Sequence, residues 1–149
     1  MSAYVYDDGG RAAAGFRGET GDCVTRAIAI ATGVPYREVY DALGSSVKGT
    51  RTPRGRKRTS VRDGAPRFAY DRYLKALGWT WTPTMAIGSG CRVHLRADEL
   101  PAGRLIARLS RHLCAVVDGV VRDTNDPSRN GTRCVYGYFR PDRRPLAVS

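Results

Sequence analysis

Apolar positions recur at helical spacing three times in the first half of the chain, and the pattern then changes to the alternation of strands. Val24, Ala27, Ile28 and Ala31 stand at i, i+3, i+4 and i+7, which predicts an amphipathic helix with Asp22 as N-cap, Cys23 in its first turn and Gly33 at its end. Pro35 begins a second helix where its missing N–H is harmless, with Tyr36, Val39, Tyr40 and Leu43 on one face and Gly44 as its stop. These two helices should pack as a hairpin. Pro66 opens a third, with Tyr70, Tyr73, Leu74 and Leu77 on one face and Gly78 after it. Residues 1–20 are rich in glycine and small side chains and show no sustained period, so they predict an irregular lead-in with one short strand near Tyr4 to Tyr6.

Trp79 and Trp81 follow on an extended piece closed by Pro83, and beyond Gly88-Ser89-Gly90 the strand signals begin. Val93 and Leu95 alternate with polar neighbours, and Ala97 to Leu100 reads as one helical turn broken by Pro101. Leu105 to Leu109, Leu113 to Val117, Val120 to Asp123 and Cys134 to Phe139 read as four short strands, with Asp118-Gly119 as a two-residue hairpin turn. Helices first and an antiparallel sheet afterwards make an α+β domain, a single one over residues 1–149.

Composition adds a compartment and a charge. No apolar run approaches the roughly 18 residues that span a bilayer, and Met1 to Asp8 has neither the basic nor the apolar region of a secretion signal. A cytoplasmic protein of a bacterial or phage-infected cell is therefore expected. The four cysteines, Cys23, Cys91, Cys114 and Cys134, form no Cys-x-x-Cys pair and read as free thiols. The net charge of +11 favours an acidic partner, nucleic acid or protein. Much of it is concentrated between Lys48 and Asp63, a Gly/Pro/Ser/Thr-rich stretch too poor in apolar residues to offset the entropy of ordering, and so expected to be a flexible loop.

Candidate chemistry centres on Cys23. The thiolate is the nucleophilic form of cysteine, and the partial positive charge at a helix N-terminus stabilises it, as would a nearby imidazolium. With Asp118-Gly119 as the turn, Cys114 falls opposite Asp123 and His112 opposite Asn125. Strand alternation then puts His112, Asp123 and Asn125 on one face of the ladder, Asp123 diagonal to the histidine and Asn125 directly across. Either could hold the imidazole. Asp123 is preferred because a carboxylate both fixes the tautomer and stabilises imidazolium, whereas an amide only orients the ring. Asp126 is expected to cap the turn that follows.

The order of these segments carries a resemblance. Gly21-Asp22-Cys23 at a helix start, the strand Gly103-Arg104-Leu105-Ile106-Ala107-Arg108-Leu109, then His112-Leu113-Cys114-Ala115-Val116-Val117-Asp118-Gly119 and a strand ending Asp123-Thr124-Asn125-Asp126-Pro127 resemble the papain-like cysteine protease superfamily, closest to its compact C39-like branch. They are also similar to uncharacterised phage and prophage proteins with Asp-Cys-Val-x-Arg-Ala and His-Leu-x-Ala-Val-x-Asp-Gly segments. The resemblance spans roughly residues 21 to 138. It implies a papain-like fold and a cysteine hydrolase, a peptidase, isopeptidase or amidase working through a thioester. Cys23 would be its nucleophile, His112 its general base and then acid, and Asp123 the orienter of His112. One departure stands out: such enzymes place a glutamine before the nucleophile to donate to the oxyanion, and this chain contains none. The backbone N–H of Cys23, the Thr20 hydroxyl and the Arg17 guanidinium are the candidate replacements.

Other readings compete with this one. Cys91-Arg92-Val93-His94 offers a single pair of metal ligands where a structural zinc site needs four, so neither metal nor cofactor is expected. Arg54, Arg56, Lys57 and Arg58 are suited to phosphates or to an acidic protein, with Tyr70, Tyr73, Trp79 and Trp81 as stacking surfaces or, on the stronger reading, core residues. The alternative to a hydrolase acting on a protein or peptide is thus a phage-type binding module, or a pseudoenzyme that keeps the triad without turnover.

Overall fold

The structure, a computed structural model, describes residues 3–16, 22–48, 65–86 and 88–142. Arg17, Thr20, Arg54, Arg56, Lys57 and Arg58 lie outside these residues. The described elements are β1 (Ala3–Tyr6), α1 (Cys23–Thr32), α2 (Tyr36–Lys48), α3 (Arg67–Ala76), β2 (Trp79–Pro83), β3 (Arg104–Leu109), β4 (His112–Val117), β5 (Val120–Asp123) and β6 (Gly137–Pro141). The architecture is α+β. Three helices lie against a six-stranded mixed sheet of order β1-β5-β4-β3-β6-β2. No helix among the described residues is long and apolar enough to cross a membrane.

The strands of the central hairpins are apolar at nearly every position because both faces of the sheet are covered. Ile106, Leu113, Ala115 and Phe139 pack toward Val24, Ile28, Val39 and Leu74 of the helices. Leu105, Ala107, Cys114, Val116 and Val121 pack on the opposite side with Leu95, Leu100 and Val135 from the connecting segments. Tyr70 and Trp79 belong to the helix-side core, while Trp81 lies against the Phe139 ring with centroids 4.8 Å apart.

The β4–β5 hairpin has the expected register, Val117 opposite Val120 and Ala115 opposite Arg122. Asp118 and Gly119 both take positive φ, 50° and 80°, as the tight turn requires. Four expectations are corrected. The sheet is not wholly antiparallel, since β1 pairs in parallel with β5. Gly44 does not stop α2, which runs on to Lys48: a glycine ends a helix only where the backbone turns left-handed, as Gly33 and Gly78 do. Leu77 falls in the turn after α3 and is 41 % exposed rather than buried. The last strand begins at Gly137, because Cys134 and Val135 pair instead with the segment around His94.

The cysteines need a fifth correction. Cys91 and Cys134 form a disulfide, with Cα atoms 5.8 Å apart, and only Cys23 and Cys114 are free. The two cysteines stand 43 positions apart along the chain, so the linear spacing carried no sign of it. Cys91 is thereby removed from any ligand pair with His94, whose Nδ1 lies 3.1 Å from Glu99 Oε1.

Candidate active site

Three element ends meet at one end of the sheet. Cys23 is the first residue of α1, His112 the first of β4 and Asp123 the last of β5. Antiparallel pairing of β4 with β5 puts the start of one strand beside the end of the other, and α1 packs directly on β4. The His112 Nε2 and Asp123 Oδ2 atoms are 2.6 Å apart. The Cys23 thiol interacts with the same imidazole, which lowers its pKa, and with Nε2 committed to Asp123 the ring nitrogen not so engaged is Nδ1. Asn125 is exposed on the Asp123 side of His112 and is not the residue that holds the ring.

Asp123 is held on every side. Its Oδ1 accepts from the Thr124 backbone N–H at 2.7 Å and faces the Arg26 guanidinium at 3.4 Å. Its backbone carbonyl accepts from the Tyr4 hydroxyl and the Asp7 N–H, both at 3.0 Å. The parallel strand β1 thus has a direct use: it anchors the residue that orients His112.

Charge follows from this geometry. Burial opposes ionisation of Cys23, but the hydrogen bond to His112, a second from the Leu113 backbone N–H and the positive charges of His112 and Arg26 outweigh it, and the thiol pKa is lowered. Burial likewise opposes a charge on His112, yet the hydrogen bonds to Asp123 and Cys23 and their negative charges push its pKa up to about 9. For Asp123, burial is again overridden by the bond to His112 and its charge, and the carboxyl sits below its ordinary range. The arrangement favours thiolate beside imidazolium. Cys114, by contrast, is fully buried and its pKa is raised by that burial.

Comparison with models of protein families, with curated proteins and with solved structures finds no match to this chain. The site must therefore be read from its own atoms.

The expected cap on α1 is absent. Asp22 stands at the N-cap position but makes no capping bond; its carboxylate, 1 % exposed, is instead bonded by Arg26 and by the Tyr36 hydroxyl, with Arg11 Nε 3.2 Å away. Arg26 joins the two halves of the site, since one guanidinium contacts both Asp22 and Asp123. The sequence did contain half of this. Asp22 and Arg26 are four residues apart, the spacing at which oppositely charged side chains meet on a helix, whereas the reach to Asp123 requires the sheet.

Clefts open on both sides of His112. One of about 660 Å³ lies toward Asp123, with Arg26, Asn125, Arg129 and Arg133 in its wall. The other, of about 380 Å³, has Cys23 in its wall together with Arg67, Tyr70, Arg108, Arg111 and Tyr136. A reacting carbonyl must approach sulfur from the second.

Proposed function

We propose that this chain is a papain-like cysteine hydrolase, with Cys23 as nucleophile, His112 as acid and base, and Asp123 as the group that orients His112. The observation that supports it is a thiol at a helix N-terminus sharing a cleft wall with an imidazole that is itself bonded to a buried carboxylate, a neighbourhood that lowers the thiol pKa. A nucleophilic helix packed on an antiparallel hairpin that carries the histidine and its partner is the layout the papain-like resemblance implies.

In the reaction the Cys23 thiolate attacks the carbonyl carbon of an amide, forming a C–S bond and an oxyanion. The backbone N–H of Cys23, left without an intrahelical partner at the helix start, is a donor for that oxyanion. Collapse of the adduct breaks the C–N bond, and His112 imidazolium gives its proton to the departing amine. Water then attacks the thioester while neutral His112 takes its proton. Collapse of that second adduct breaks the C–S bond, the acid product leaves, and the thiolate–imidazolium pair is restored.

The test is the rate of alkylation by iodoacetamide as a function of pH, with each cysteine followed by mass spectrometry. Cys23 should react well below the pH at which an ordinary thiol ionises, and faster than any other cysteine. His112→Ala should move the inflection upward toward the ordinary value while circular dichroism stays unchanged. A Cys23 profile that follows free cysteine in the wild type would refute the activated pair.

A further inference from the structure

The cleft beside Cys23 is strongly basic. Arg67, Arg108 and Arg111 line it, and no acidic residue does among the described residues. The three arginines are not equivalent. Arg67 is already engaged, its Nε 3.2 Å from Asp71 and its guanidinium 5.3 Å from the Trp81 ring centre. Arg111 is exposed at the rim. Arg108 points from β3 to the helix side, is half-buried, and among the described residues its side chain has neither a carboxylate partner nor a hydrogen bond. Tyr70 lines the same wall as Arg108 and Cys23; its phenol is raised in pKa chiefly by burial and feels the charges of Arg108, Asp71, Arg67 and Cys23.

A half-buried guanidinium forfeits part of its hydration, and the native structure ordinarily compensates it with an anion. Its planar fork fits a carboxylate with two parallel hydrogen bonds. We propose that this cleft receives acyl donors bearing a carboxylate close to the scissile carbonyl, such as acidic peptides, and that Arg108 is the residue that selects them. The proposal rests on reading Cys23 as the nucleophile. The volume, about 380 Å³, suits a short side chain and its flanking backbone rather than a folded surface. Tyr70 and Tyr136 would flank the aliphatic part of such a side chain, leaving its carboxylate to the guanidinium.

Two thiol reagents that differ in one charge test this on the intact protein. Iodoacetate carries a carboxylate beside the reacting carbon, and iodoacetamide is its neutral counterpart. The ratio of their rates at Cys23, divided by the same ratio for free cysteine, should exceed one in the wild type. Loss of one charge-assisted contact in Arg108→Gln should reduce it by about fivefold, the iodoacetamide rate in the ratio taking up any change in the thiolate itself. Arg37→Gln removes the same charge from the far, exposed face of α2 and should leave the ratio as it was. Equal ratios in the wild type and Arg108→Gln, or an equal fall in Arg37→Gln, would overturn the proposal. A glutamate-containing tetrapeptide amide should also protect Cys23 better than its glutamine counterpart, and Arg108→Gln should erase the difference; equal protection in the wild type would overturn the substrate class. Slow alkylation by both reagents with the ratio still high and Arg108-dependent would instead count against the nucleophile and leave the anion site standing. Should Arg108→Gln fail to fold, Arg108→Lys keeps the charge without the fork and should give an intermediate ratio.

Discussion

His112 and Asp123 are the residues on which the site turns, and their pairing is a statement about pH as well as position. The imidazole pKa rises from 6.5 to about 9 in the folded protein, so His112 adds stability that is fully present below about pH 6.5 and lost as pH rises through about 9. The wild-type melting temperature should therefore fall across that window more steeply than that of His112→Asn. Parallel slopes would show that the ring gains no proton affinity on folding. Removing the orienting group should matter in proportion to contact. Asp123→Ala is expected to slow alkylation of Cys23 near neutral pH by about tenfold, the effect of one pKa unit, and Asn125→Ala to leave it within about twofold. The order would be reversed if the amide held the ring.

The elements bring these residues together through their ends. Helix α1 is buried nearly all round, with Val24, Thr25, Ala27, Ile28, Ala29 and Ala31 inside, so its axis is fixed by packing. Its first turn is held differently, by the Asp22 carboxylate shared between Arg26 and Tyr36. Removing one member of a buried ionic cluster leaves the others without compensation, which typically costs about 3 kcal/mol or more. Asp22→Ala should accordingly lower the chemical denaturation midpoint by that amount, and should slow Cys23 as Arg26 loses its tether. Asp22→Asn, which still accepts from Tyr36, should cost less. A surface-like loss in Asp22→Ala, below about 0.5 kcal/mol, would show that the first turn needs no such anchor.

At the scale of the whole molecule, the disulfide between Cys91 and Cys134 ties the segment that covers the far side of the sheet to the approach to β6. Closing a loop of 43 residues is worth about 4 kcal/mol in the chain-entropy account. Its reduction should leave the triad geometry in place while lowering stability. Thiol titration reads the arrangement directly: one fast thiol in the native protein, Cys23; two after unfolding without reductant, as Cys114 is released; four after reduction. Four thiols before reduction would exclude the bridge and return the chain to the all-thiol state its cysteine spacing predicts.

The sequence by itself determined whatever rests on neighbours a few residues apart. The helical spacing of Val24, Ala27, Ile28 and Ala31 located α1 and put Cys23 at its start, and the Asp118-Gly119 turn set the register that brings Asp123 to His112, because hydrogen-bonded turns and side-chain periods are local properties. The parallel pairing of β1 with β5, the bridge from Cys91 to Cys134, the Arg26 guanidinium between Asp22 and Asp123, and the placing of Arg108 beside the thiol were decided only by the tertiary structure. Each joins segments far apart in the chain, and no local pattern records which of many distant charges or thiols the packing of helices on a sheet will make into neighbours.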